Sequence, residues 1–211
     1  MTDKTLGLSK TELAILKKLN TPKKIQDWLD EMPINWEKKG ETYMSPRRAL
    51  RENKAHCFEG AMLAGIALWL TGKPPLVIDL KTTIGDDHII TLYKAGGYWG
   101  AFSKTNHAFL RHRDPIYKTI RELALSFFHE YFDFDNGKKI LLSYSEPFSL
   151  KKLGTEWITA ERELDDIAER LDNLPHKRLF PKSSEKFLRR ACATELQAVN
   201  IVEWGKDNPR T

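Results

Sequence analysis

Residues 54–71 read Lys-Ala-His-Cys-Phe-Glu-Gly-Ala-Met-Leu-Ala-Gly-Ile-Ala-Leu-Trp-Leu-Thr. From Ala61 to Leu70 every residue is apolar or glycine, so the pattern predicts a helix buried on all sides at the centre of a domain. Cys57 falls in the first turn, where backbone N–H groups lack helical partners and the helix dipole is positive. Such a position favours a thiolate over a thiol. Glu59 adds an acidic group suited to a helix start. The competing reading is that Cys57 is a small core residue, as most unpaired cysteines are.

Outward from this helix the chain changes character. Upstream, residues 9–19 place Leu13, Ile15, Leu16 and Leu19 close to helical spacing. Thr21-Pro22 opens a second helix, and Ser45-Pro46 a short third one that leads to Cys57. Downstream, Gly72-Lys-Pro-Pro75 stops the central helix. Residues 76–83, 87–93 and 98–103 then read as three strands joined by turns at Gly85-Asp86 and Gly96-Gly97. A helix followed by an antiparallel meander gives the α+β class. Pro115 is expected to begin an amphipathic helix running to Tyr131, and residues 139–144 a further strand. Helices are expected from Thr159 and over 185–203, followed by a loose tail over 205–211. The division expected is a domain over 1–150, with its core at 45–132 and helices 9–32 packed on it, and a helical extension over 151–211.

Composition narrows the function classes. The 211 residues carry 34 Lys and Arg against 29 Asp and Glu, a net charge of +5. Because the two signs are interleaved, no contiguous basic stripe with stacking aromatics emerges, and nucleic acid is not the expected partner. No apolar run suits a bilayer span, and the first ten residues lack a signal-peptide plan. Two cysteines without a Cys-x-x-Cys pair point to a reducing compartment, the cytoplasm, rather than a disulfide framework or zinc ribbon.

Along the second strand His88 shares a side with Ile90 and Leu92. If that side packs on the buried helix, the ring reaches the helix start and pairs with Cys57, the arrangement cysteine enzymes use. On its own, His88 also reads as a hydrogen-bonded strand-end histidine. A Cys57–His88–Asp87 metal site is not suggested by the spacing, and no cofactor is called for. His56 and Glu59 read as local helix-start groups, Gln26 as a remote candidate for an oxyanion donor, and Cys192 as a core residue. His107, His112 and His129 read as structural.

His-Cys-Phe-Glu-Gly-Ala, Asp-Asp-His-Ile-Ile and Trp-Gly-Ala-Phe-Ser-Lys-Thr-Asn, between His56 and Asn106, resemble the core of the transglutaminase-like, papain-related cysteine superfamily. More closely, they resemble a group of bacterial proteins within it. The resemblance implies a papain/transglutaminase-like core, a buried helix packed on an antiparallel sheet, with N- and C-terminal helices added. It implies Cys57 as nucleophile and His88 as general base and acid. The implied activity is that of a Cys–His hydrolase or acyltransferase on a peptide or protein amide. The third position departs from the pattern: counting from Trp99, the superfamily's Asp falls on Ser103. A hydroxyl can hold the imidazole tautomer but cannot stabilise imidazolium as a carboxylate does. The orienting role is left between Asn106, slightly favoured, and Ser103. The alternative reading is a fold of this kind with a degraded site, serving as a binding or scaffolding protein.

Overall fold

The computed structural model describes residues 5–37 and 40–203; the tail over 205–211 lies outside the described residues. Three short helices precede the central one. α1 (Lys10–Lys18) is capped by Ser9, whose Oγ accepts from Glu12 N while Glu12 Oε2 accepts from Ser9 N, a reciprocal box that satisfies two orphan donors. α2 (Pro22–Glu31) and α3 (Pro46–Glu52) each begin with proline behind a hydroxyl cap, Thr21 and Ser45. Asn53 then turns the chain in a left-handed conformation, and α4 (Cys57–Leu70) follows. From Phe58 to Leu68 every residue of α4 is buried, as its all-round apolar sequence requires.

The meander follows as β1 (Leu76–Thr82), β2 (His88–Ala95) and β3 (Tyr98–Phe102). β4 (Arg113–Tyr117), β5 (Leu141–Ser145), β6 (Phe148–Ser149) and β7 (His176–Arg178) complete a sheet ordered β4-β3-β2-β1-β5-β7, with β6 also on β1. All of these pairings are antiparallel. α5 (Ile120–Phe127), α6 (Asp165–Asp172) and α7 (Ala193–Ala198) are the remaining α-helices among the described residues. The chain is therefore α+β, with a central buried helix on an antiparallel sheet.

Both faces of the sheet are covered, and this decides where side chains point. Val77, Tyr93 and Phe102 belong to one apolar cluster with α4, α1, α2 and the segment from Trp157 to Leu171. Ile78, Leu80, Ile90, Leu92 and Ala101 belong to the other, with α5, Tyr131 and Leu179. Residues beyond 150 thus share the interior with the N-terminal helices and, through β7, the sheet. The face expected to cover α4 is the wrong one: Ile90 and Leu92 pack on the α5 side. α4 takes Ile89, Thr91 and Tyr93 instead, and Thr91 Oγ1 donates to the Ala61 carbonyl at 2.7 Å.

Other elements also depart from expectation. Pro115 lies inside β4 rather than opening a helix. β4 is the edge strand, where a residue without an N–H is tolerated, and helix α5 starts only after the Thr119 cap. A 3-10 turn occupies Glu156–Thr159, and α6 begins at Asp165. Instead of one helix over 185–203 there are a 3-10 stretch, Lys182–Phe187, and the six-residue α7. Between them Ala191 N donates to the Gly137 carbonyl, so the backbone is held by another loop rather than by its own helix.

Candidate active site

Cys57 is the first residue of α4 and is half-buried. Its helix start is held from both sides by Glu59, whose Oε2 accepts from His56 N at 2.8 Å and whose Oε1 accepts from Met44 N at 3.0 Å. Glu59 is fully buried, and burial pushes its carboxyl above the ordinary range. It is therefore a brace between the 42–45 segment and the helix start rather than a surface charge. One residue on, Gly60 lies against the Lys104 side chain, so closely that a Cβ there would overlap Lys104 Cβ. Lys104 is itself buried and donates to the Met32 carbonyl at 2.6 Å, with Glu203 Oε2 at 3.5 Å. Burial lowers its pKa.

Cys57 lines a cleft of about 770 Å³ whose charged walls are mostly carboxylates, among them Asp79, Asp87, Asp165 and Asp172, with Lys81 and His56 opposite in sign or titratable.

His88 is buried on the other side of the sheet's end, paired with Leu80 across the ladder. Its Nε2 lies 2.8 Å from Ser103 Oγ. Ser103 Oγ also contacts the Leu110 carbonyl. A carbonyl only accepts, so the single hydroxyl proton of Ser103 goes to Leu110. Ser103 Oγ must then accept from His88, which puts a proton on Nε2, so that in the neutral tautomer the lone pair is on Nδ1. Among the described residues Nδ1 has no hydrogen-bond partner.

Ser103 is in turn fixed by Gln26. Gln26 Nε2 donates to Ser103 O at 2.9 Å, and Ser103 N donates to Gln26 Oε1 at 3.2 Å. Both ends of the Gln26 amide are thus engaged, with Asp30 as a further acceptor, so Gln26 pins Ser103 rather than offering an oxyanion donor. Asn106 makes no hydrogen bond to His88 among the described residues; its backbone carbonyl accepts from Glu203 N. Of the two candidate orienting groups, Ser103 makes the bond.

His88 and Asn106 line a smaller cavity, of about 70 Å³, and not the cleft of Cys57. The two spaces adjoin, since His56, Asp86 and Asp87 line both. No hydrogen bond joins Cys57 to His88 among the described residues. Tyr131 also lines the smaller cavity and donates to the Asp86 carbonyl at 3.0 Å, and burial raises its phenol well above its usual pKa.

Also lining the cleft, Asp79 is buried on β1, its Oδ2 2.9 Å from His176 Nε2. His176 Nδ1 lies 2.6 Å from the Leu174 carbonyl and must donate to it. Burial pushes Asp79 up to about 8 and lowers His176. Both shifts act against a fully charged pair, and the 2.9 Å contact holds Asp79 Oδ2 in place. Nothing in the local sequence signals this pair or the Gln26–Ser103 pair, because the partners are 97 and 77 residues apart.

Cys192 is half-buried at the cap of α7, outside the apolar core expected for it. His107 and His112 are tied into the structure, His112 stacked on Tyr93 with ring centroids 5.7 Å apart, and His107 in a bridge with Val202. No helix among the described residues is long and apolar enough to cross a membrane. No protein-family model matches this chain, and no curated protein matches it.

Proposed function

We propose that this chain is a cysteine-dependent acyl-transfer enzyme, a hydrolase or acyltransferase of transglutaminase-like type, acting on a peptide or protein amide in the reducing cytoplasm. The observation that carries the reading is the proton accounting at Ser103, which in the neutral ring puts the His88 lone pair on Nδ1, in a cavity that adjoins the cleft of a helix-start thiol. In the proposed reaction His88 Nδ1 takes the thiol proton and Cys57 Sγ adds to the substrate carbonyl. Unpaired N–H groups of the first turn of α4 steady the oxyanion. His88 returns the proton to the departing amine, and the thioester is resolved by water or a second amine. For the proton to pass, the shared wall of His56, Asp86 and Asp87 must open or admit a relaying water.

A second reading, a binding or scaffolding protein on the same fold, is favoured by two observations. Among the described residues Cys57 and His88 share no hydrogen bond, and a serine stands where a carboxylate would stabilise imidazolium.

The two readings separate on acylation of the chain by a small activated ester, p-nitrophenyl acetate, followed by peptide mapping. The enzyme reading expects one acetyl group on Cys57, lost in Cys57→Ser and retained in Cys192→Ser. Acetylation spread evenly over both cysteines, or absent from Cys57, favours the binding protein.

A further inference from the structure

Within the cleft, carboxylate oxygens of Asp79, Asp87 and Asp172 all lie within 4.8 Å of one another. They come from three different elements: β1, the residue before β2, and the end of α6. Acidic residues gather on many surfaces without a ligand. The feature that separates this group is Asp79. Its side chain is 1% exposed, yet among the described residues its Oδ1 has no hydrogen-bond partner. A buried carboxylate oxygen left bare is costly and calls for an explanation.

The other oxygen of Asp79 is held by His176, whose ring is fixed in turn by Leu174. Asp87 is held likewise, its Oδ1 accepting from Thr82 N and from Thr82 Oγ1. Ligating carboxylates are characteristically oriented by such outer hydrogen bonds. Two oxygens on one ion at a Ca–O distance of about 2.4 Å can be no more than about 4.8 Å apart, which the three satisfy.

We propose that Asp79, Asp87 and Asp172 form a binding site for one oxygen-liganded divalent cation of calcium size, on the wall of the cleft that holds Cys57. Asp79 Oδ1 is the innermost ligand, Asp172 the outermost, and water completes the shell. The ion ties α6 to the sheet. Lys81 Nζ, 2.5 Å from Asp172 Oδ1, competes for the outer ligand, so the affinity is modest, with a Kd on the order of 10⁻⁴ M. The ion is assigned no step in the acyl transfer, and its site stands whether or not Cys57 is a nucleophile.

The test is calorimetric titration of the full chain with calcium chloride, repeated with magnesium chloride and with lysine amide. Expected is one calcium per chain, binding magnesium more weakly, with affinity reduced about tenfold or more in Asp87→Asn and in Asp172→Asn. Asp172 is on the surface, so Asp172→Asn tests the site without threatening the fold. Lys81→Met, which removes the competing ammonium, is expected to tighten calcium binding. Absence of calcium binding at millimolar concentration overturns the proposal, as does binding unchanged in Asp172→Asn and Asp87→Asn. Tight binding of lysine amide in place of calcium also overturns it, by assigning the carboxylates to a cationic side chain.

Discussion

Both cysteines of this chain stand at helix starts with a glutamate just downstream, and the two starts differ in what surrounds them. At α4, Glu59 accepts from the N–H of His56; at α7, Glu195 Oε2 accepts from the N–H of Cys192 at 2.7 Å. Yet α4 has fourteen residues at the centre of the fold and α7 six at its margin. Glu59 is enclosed and also holds Met44, whereas Glu195 faces solvent and Lys139 at 3.6 Å. Cys57 opens on the large cleft, and Cys192 lines none of the principal cavities. The lesson is that a capping pattern in sequence marks a helix start but not its worth; the setting decides whether a thiol there has oriented neighbours.

The comparison breaks if the two glutamates prove equivalent. Glu59→Gln leaves one of two buried N–H groups facing an amide NH₂, an unmet donor that costs about 1–3 kcal/mol. Chemical denaturation should show that loss, while Glu195→Gln leaves the midpoint unchanged. Equal losses would place both helix starts in the same setting.

A smaller effect sharpens the same contrast from the N-terminal side. The Arg47 guanidinium, 2.9 Å from Glu12, lowers the Glu12 carboxyl to about 2 from an ordinary 4.5. A carboxyl depressed in the folded state stabilises fully above about pH 4.5 and loses that stabilisation as pH falls towards 2. Glu12→Gln should therefore melt below the parent at pH 6, with the gap closing by pH 2–3. Because this pair joins α1 to α3, which leads into α4, the variant is expected to alter the setting of Cys57 and leave Cys192 untouched. A gap that widens on acidification would contradict the assignment.

How far the sequence can be read follows from the same physics. The buried helix and the three-stranded meander are local patterns, and Ala61–Leu70 and the Gly96-Gly97 turn announce them. The facing of β2 is not local. Alternation says that His88 travels with Ile90 and Leu92, but with Ile89, Thr91 and Tyr93 also apolar or small, both sides can be covered. Only tertiary packing assigns α4 to one and α5 to the other. Pro115 reads as a helix start until β4 is known to be an edge strand. Cys57, His88 and Ser103 are each legible as candidates. The bond that favours Ser103 over Asn106 depends on the Leu110 carbonyl, presented by a residue at φ 58°. No residue type at position 110 signals that backbone conformation, since leucine seldom adopts it.

Whether the Ser103-held imidazole serves the thiol across the His56–Asp86–Asp87 wall is settled most directly by iodoacetamide alkylation at pH 7. The rates at Cys57 and Cys192 are followed in one sample by mass spectrometry, in the parent and in His88→Asn. The account predicts that Cys57 reacts about tenfold faster than Cys192 and that the advantage collapses in His88→Asn while the Cys192 rate stays constant. Equal rates in the parent, or an advantage that survives the loss of His88, would contradict it.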